Sequence, residues 1–88
     1  MLQKYRIVIN ECGKDGWVPV HPLSDIICNG LNEVMTFLAE QVDFSYMEVK
    51  GYLNCDSNSV FCLECRDDAE CRNEDGKRYL RIEVWKEK

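Results

Sequence analysis

Six cysteines in a chain of 88 residues are the side chains best equipped for chemistry: Cys12, Cys28, Cys55, Cys62, Cys65 and Cys71. The last four follow the spacing C-x6-C-x2-C-x5-C. Zinc takes four thiolate or imidazole ligands in a tetrahedron, and a C-x2-C pair on a turn lets two thiolates converge. A domain with a limited core gains from such a staple. Cys55, Cys62, Cys65 and Cys71 are therefore the candidate metal ligands, with zinc as the metal. Three features oppose this. Cys62 and Cys65 fall in a strand pattern, where residues three apart face opposite sides. No Gly or Pro follows either cysteine to form a knuckle. The second pair lacks the C-x2-C spacing. In the competing reading Cys55 and Cys65 are small core residues, as free Cys often is, and no cofactor is required.

A nucleophilic thiol needs a lowered pKa, supplied by a nearby His or a helix N-terminus. His21 is the only histidine, set between Val20 and Pro22, and Cys28 lies near an expected helix start. No catalytic motif surrounds either one, so no enzyme is read here. Asp67, Asp68, Glu70, Glu74 and Asp75 form an acidic run with Arg66 and Arg72 interspersed. It lacks the alternating ligands and closing Glu of a calcium loop, and reads as a solvated loop. The chain has no phosphate-cradling glycine loop and no nucleophile elbow.

Charge is more informative. The formal net charge is −5, and no Lys or Arg occurs from Asp15 to Val49, where Asp15, Asp25, Glu33, Glu40, Asp43 and Glu48 supply six negatives. The C-terminal segment is locally basic, with Lys77, Arg78, Arg81, Lys86 and Lys88. An acidic surface repels nucleic acid and attracts basic protein surfaces.

The elements that must position these groups follow from periodicity. Lys4 to Asn10 alternates with Tyr5, Ile7 and Ile9 inward, which predicts a strand. Gly13 to Gly16 has turn chemistry. Trp17 to Pro22 is extended, and its two prolines confine it to an edge. Ile27, Leu31, Val34, Leu38 and Val42 form a helical stripe. Ser24 as cap and Asp25 in the first turn place the helix at about Asp25 to Val42, with Gly30 moving its start toward Asn29 or Gly30. Ser45 to Asn54 and Val60 to Cys65 alternate about a turn at Cys55 to Asn58 and predict a hairpin. Phe61, Leu63 and Cys65 share one face. Arg66 to Gly76 is a polar connection. Lys77 to Trp85 is the clearest strand, with Leu80, Ile82 and Val84 inward.

The expected architecture is a single domain spanning 1–88. It is α+β and two-layered, with a mainly antiparallel sheet of three to five strands in the order β-(β)-α-β-β-β and one helix packed on one face. The outward sheet face should display Arg6, Val8, Lys50, Tyr52, Val60, Tyr79, Arg81 and Trp85, and its Tyr, Trp and Arg are types enriched in binding hot spots. A one-residue register slip would invert it. No segment of Met1 to Ile9 is apolar enough for a signal peptide, and no stretch approaches a membrane span. The expectation is a cytoplasmic, reducing setting with free thiols, hyperthermophiles being the exception that make disulfides inside cells.

These features together predict a non-enzymatic protein-binding module. Its contacts would be an acidic helix face of Asp25, Glu33, Glu40, Asp43 and Glu48 and a sheet face of Tyr52, Tyr79, Arg81 and Trp85. Its partner would be another protein, such as one with a basic nucleic-acid-binding surface. Inhibitors and adaptors, including phage-encoded blockers of host nucleases or defence complexes, are the class this suits. Self-association through the aromatic face would give a homodimer. The alternatives are a zinc-stabilised binding module and a single-stranded nucleic-acid binder stacking bases on the sheet aromatics. The acidic charge and the lack of a ribonucleoprotein signature disfavour the second of these.

Overall fold

The computed structural model describes residues 2–13, 18–42, 44, 47–52, 58–67 and 79–87. They form strands β1 (Lys4–Cys12) and β2 (Pro19–Asn29), helix α1 (Gly30–Gln41), and strands β3 (Met47–Tyr52), β4 (Ser59–Asp67) and β5 (Tyr79–Glu87). All pairings in the sheet are antiparallel, in the spatial order β2-β1-β5-β4-β3. The fold is a small five-stranded antiparallel sheet with one helix, an α+β arrangement.

Of the three interior strands, β1 and β5 carry the strongest alternation, and their registers explain the core. Ile7 lies opposite Val84 and Ile9 opposite Ile82. On the other side of β1, Ile26 lies opposite Ile7 and Cys28 opposite Tyr5. Residues directly paired in an antiparallel sheet share a face. Tyr5, Ile7, Ile9, Cys28, Leu80, Ile82, Val84 and Cys65 therefore gather on one side, all buried, with Val34, Leu38 and Val42 in the same cluster. Fully burying an aliphatic side chain contributes roughly 1.5–3 kcal/mol. The helix meets the sheet at β1 and β2. Its last N–H bond runs from Val42 to Leu38 O at 3.0 Å, where Val42 becomes extended and ends it.

The helix begins at Gly30, the later of the expected starts and five residues beyond Asp25. The segment from Ser24 to Asn29 is the end of β2, so Ile27 is a strand residue and Ser24 is no cap. Alternation explains the difference. Ser24, Ile26 and Cys28 pair across to inward residues of β1, while Asp25 and Ile27 pair with Val8 and Arg6 on the other face. Gly30, at φ 84°, turns the chain from strand into helix, a conformation glycine adopts at low cost. The Asn29 N–H is taken by the Glu33 carboxylate one turn on. Leu31, included in the stripe, is exposed.

Val60 also departs from expectation. A register irregularity between Ser59 and Phe61 re-aims it, and Val60 packs half-buried against the core instead of outward. The strands otherwise extend or trim the expected ranges by a few residues. Asp43, Cys55 and Cys71 lie outside the described residues, as do Trp17 and the chain from 68 to 78.

Candidate functional site

The sheet face away from the core cluster is laced with ion pairs. By register, Lys4, Arg6, Lys50, Arg66 and Arg81 share it with Asp25, Glu48, Glu64, Glu83 and Glu87. Among the described residues, these five positive and five negative groups balance in charge. Arg6 forks onto Asp25 through two hydrogen bonds, Nε to Oδ1 at 2.7 Å and Nη2 to Oδ2 at 2.6 Å. Arg66 pairs with Glu48 at the other edge. Arg81 Nε sits 2.9 Å from Glu83 Oε1, too poorly aligned to count as a hydrogen bond. Trp85 Nε1 donates to Glu83 Oε2 at 3.3 Å.

Tyr79, Arg81 and Trp85 are thus half-buried members of this face, as expected, and Tyr52 holds the register position opposite Cys62. The acidic residues expected on a helix face are dispersed. Glu33 and Glu40 are on α1, but Asp25 belongs to β2 and Glu48 to β3, at opposite edges of the sheet. Contiguity in sequence does not make them one surface. Nothing in the sequence signalled the Arg6–Asp25 pair, since it depends on which residues face each other across β1 and β2.

The bonded Arg6 guanidinium holds the Asp25 carboxyl below its ordinary value of 3.8, with partial burial opposing. A depressed carboxyl pKa favours the folded state fully above 3.8, and this contribution is lost as pH falls through the folded value. The urea midpoint of the native chain should therefore drop more steeply below about pH 4 than that of Asp25→Asn. Equal acid slopes in the two proteins would show that the pair does not act on stability.

Two of the four candidate zinc ligands, Cys62 and Cys65, lie among the described residues. Cys65 faces the core opposite Leu80, while Cys62 faces the ion-paired side opposite Glu83. A spacing of three in a continuous strand divides them in this way, so the two thiols do not converge on one ion. Among the described residues no three His, Cys, Asp or Glu side chains gather where they could hold a metal. Cys28 lies in β2, ahead of the helix, and burial, then the nearby Glu33 charge, push its thiol up. The helix starts two residues beyond it, and its thiol is raised rather than lowered. His21 is seven residues away on the same strand, roughly 23 Å at strand rise. Cys12 and Cys62 are both buried on the ion-paired side, their thiols also raised by burial.

Exposed apolar groups have a clear location. Among the described side chains, Leu2, Val18, Val20, Leu23, Ile27, Leu31 and Met35 lie on or beside β2 and α1, and Val49 lies on β3. Leu31 and Met35 are 50% and 60% exposed. They are four apart and so stack along one flank of the helix. A recess of about 250 Å³ lies near its end, lined by Ile9, Leu23, Ser24, Gln41, Val42 and Leu80. No described helix is long and apolar enough to cross a membrane. Comparison with protein-family models, curated proteins and solved structures finds no match to this chain.

Proposed function

We propose that this chain is a non-enzymatic protein-binding module that engages its partner through the exposed side of α1. The observation that carries this reading is the pair Leu31 and Met35, apolar and exposed one turn apart on a helix whose only charges are Glu33 and Glu40. Isolated exposed apolar residues are ordinary, whereas a group rimmed by polar residues marks an interaction site. The fitting partner offers an apolar pocket with a basic rim, and the work is that of an inhibitor or adaptor. Occlusion of a basic nucleic-acid-binding groove is one form of it. The ion-paired sheet face supports a protein over nucleic acid as the ligand, because its cations already have carboxylate neighbours. Four free, buried thiols among the described residues suit a reducing compartment such as the cytoplasm.

A photo-crosslinking amino acid at Met35, introduced in living cells, tests this. It should form one dominant adduct with a basic protein, and the same group at Lys50 on the opposite side should not. With that partner purified, Met35→Ala should weaken binding by more than about 1 kcal/mol. Glu40→Lys should weaken it further at low salt than at high salt. Glu40 serves better than Glu33, whose carboxylate also caps the helix. No adduct at Met35, or the stronger adduct at Lys50, would overturn the reading.

A further inference from the structure

The two edges of the sheet are unlike. β3 is six residues long, with Glu48 and Lys50 exposed along it. Short length and charge are how edges avoid pairing with other strands. β2 is eleven residues long and carries one ionisable carboxylate, Asp25, already forked by Arg6. Its first half is protected by Pro19, Pro22 and two register irregularities. From Ser24 to Cys28 it has no such protection.

The direction of the open backbone groups can be worked out. Gly30 N–H donates to Gln3 O at 2.9 Å, which makes Lys4 and Asn29 a pair that does not exchange hydrogen bonds. Alternation then assigns the exchanged bonds to Tyr5–Cys28, Ile7–Ile26 and Ile9–Ser24. Asp25 and Ile27 consequently point their N–H and C=O groups away from β1. Among the described residues, no hydrogen bond to these four groups is found. Ile27 is also 54% exposed.

We propose that two copies of this chain associate by antiparallel pairing of their β2 edges about a two-fold axis at Ile26. This register is self-complementary. Asp25 of each copy falls opposite Ile27 of the other, so the open donors and acceptors of both residues are satisfied reciprocally. Ile26 meets Ile26 of the second copy on the core side, and each Ile27 is covered on the other. A second copy is the occupant that fits because an isologous contact needs one patch complementary to itself. The chain is acidic as a whole, and this is a stretch where its charge is neutralised. The contact is independent of the exposed side of α1.

Sedimentation equilibrium of the full chain in reducing buffer, over a concentration series, tests the inference. The native protein should pass from the mass of one chain to that of two. Ile27→Pro removes an outward N–H that β1 does not use, and Ile27→Lys places a charge at the pairing edge. Both should weaken dimerisation at least tenfold while keeping the native circular dichroism spectrum. Val49→Lys, at the opposite edge, should leave it unchanged. A single-chain mass for the native protein at its highest soluble concentration would overturn the inference. So would a dimer undiminished in both Ile27 variants, or one lost in Val49→Lys. Crosslinking from Met35 repeated in the monomeric Ile27→Lys chain tests partner capture separately.

Discussion

Ile7→Ala should cost about 2–5 kcal/mol of stability, a large share of what a domain of this size possesses. Ile7 has 0% of its surface exposed, lies on an interior strand, and is flanked by Ile26 on one side and Val84 on the other. Truncation removes transfer energy and leaves a cavity that three neighbouring strands hold open. Domains have roughly 0.05–0.15 kcal/mol of stability per residue, so the loss brings the chain close to unfolding. Each kcal/mol lowers the melting temperature by about 4–8 °C at this size. Ile82→Ala, equally buried and opposite Ile9, should behave alike. Val49→Ala is the control, because a truncation at an exposed strand position on the opposite edge should stay within about 0.5 kcal/mol. Urea titrations of the three variants decide it. Equal midpoints for Ile7→Ala and Val49→Ala would mean that the cluster around Ile7 is not the core.

Alkali should unfold the protein through its buried thiols, Cys65 above all. Burial, helped by the charge of Cys62, pushes the Cys65 thiol up to about 11 from an ordinary 9.0. The folded state therefore keeps a proton that the unfolded state releases. Stability is complete below 9.0 and is lost as pH rises toward 11. At about 1.4 kcal/mol for each pH unit, this one thiol costs at most roughly 3 kcal/mol across that window. Cys12, Cys28 and Cys62 are raised in the same direction and add to it. Melting temperatures measured from pH 8 to 11 should fall steeply in the native chain and less steeply in Cys65→Ala. Alkylation gives a second readout, since Cys65 should react only as fast as the protein opens. Rapid labelling of Cys65 in the folded protein, or parallel pH slopes in the two chains, would contradict its burial.

Much of the sheet was legible from local pattern. Alternation in Tyr5-Ile7-Ile9 and in Leu80-Ile82-Val84 identified β1, β5 and their inward faces, because an interior strand with one apolar face must alternate. Phe61, Leu63 and Cys65 were legible for the same reason. Periodicity misled at Leu23 to Leu31. Ile27 and Leu31 are four apart and so satisfy a helical stripe, yet Ser24, Ile26 and Cys28 satisfy a strand equally well. β1 decides between them by offering an unpaired edge whose register accepts Ser24 to Cys28. Val60 misled because an irregularity in register leaves no trace in residue type.

The candidate site was less legible than the fold. The absence of Lys and Arg between Asp15 and Val49 is a property of the sequence, and taken alone it predicts one acidic face. The structure spreads Asp25, Glu33 and Glu48 over β2, α1 and β3. Two of the three are matched to arginines from other strands. Charge density along a chain says nothing of which charges meet in space.

By itself the sequence determined the element types of most of the chain, the inward face of each interior strand, and the division of Cys62 from Cys65. Each of these follows from steric periodicities of two and 3.6 residues that act within a few positions. Only the tertiary structure decided that Ser24 to Asn29 belong to β2, which carboxylates are neutralised, and that Leu31, Met35 and Ile27 remain uncovered. Those outcomes depend on what lies opposite a residue across a strand or a helix, and that partner comes from a distant part of the chain.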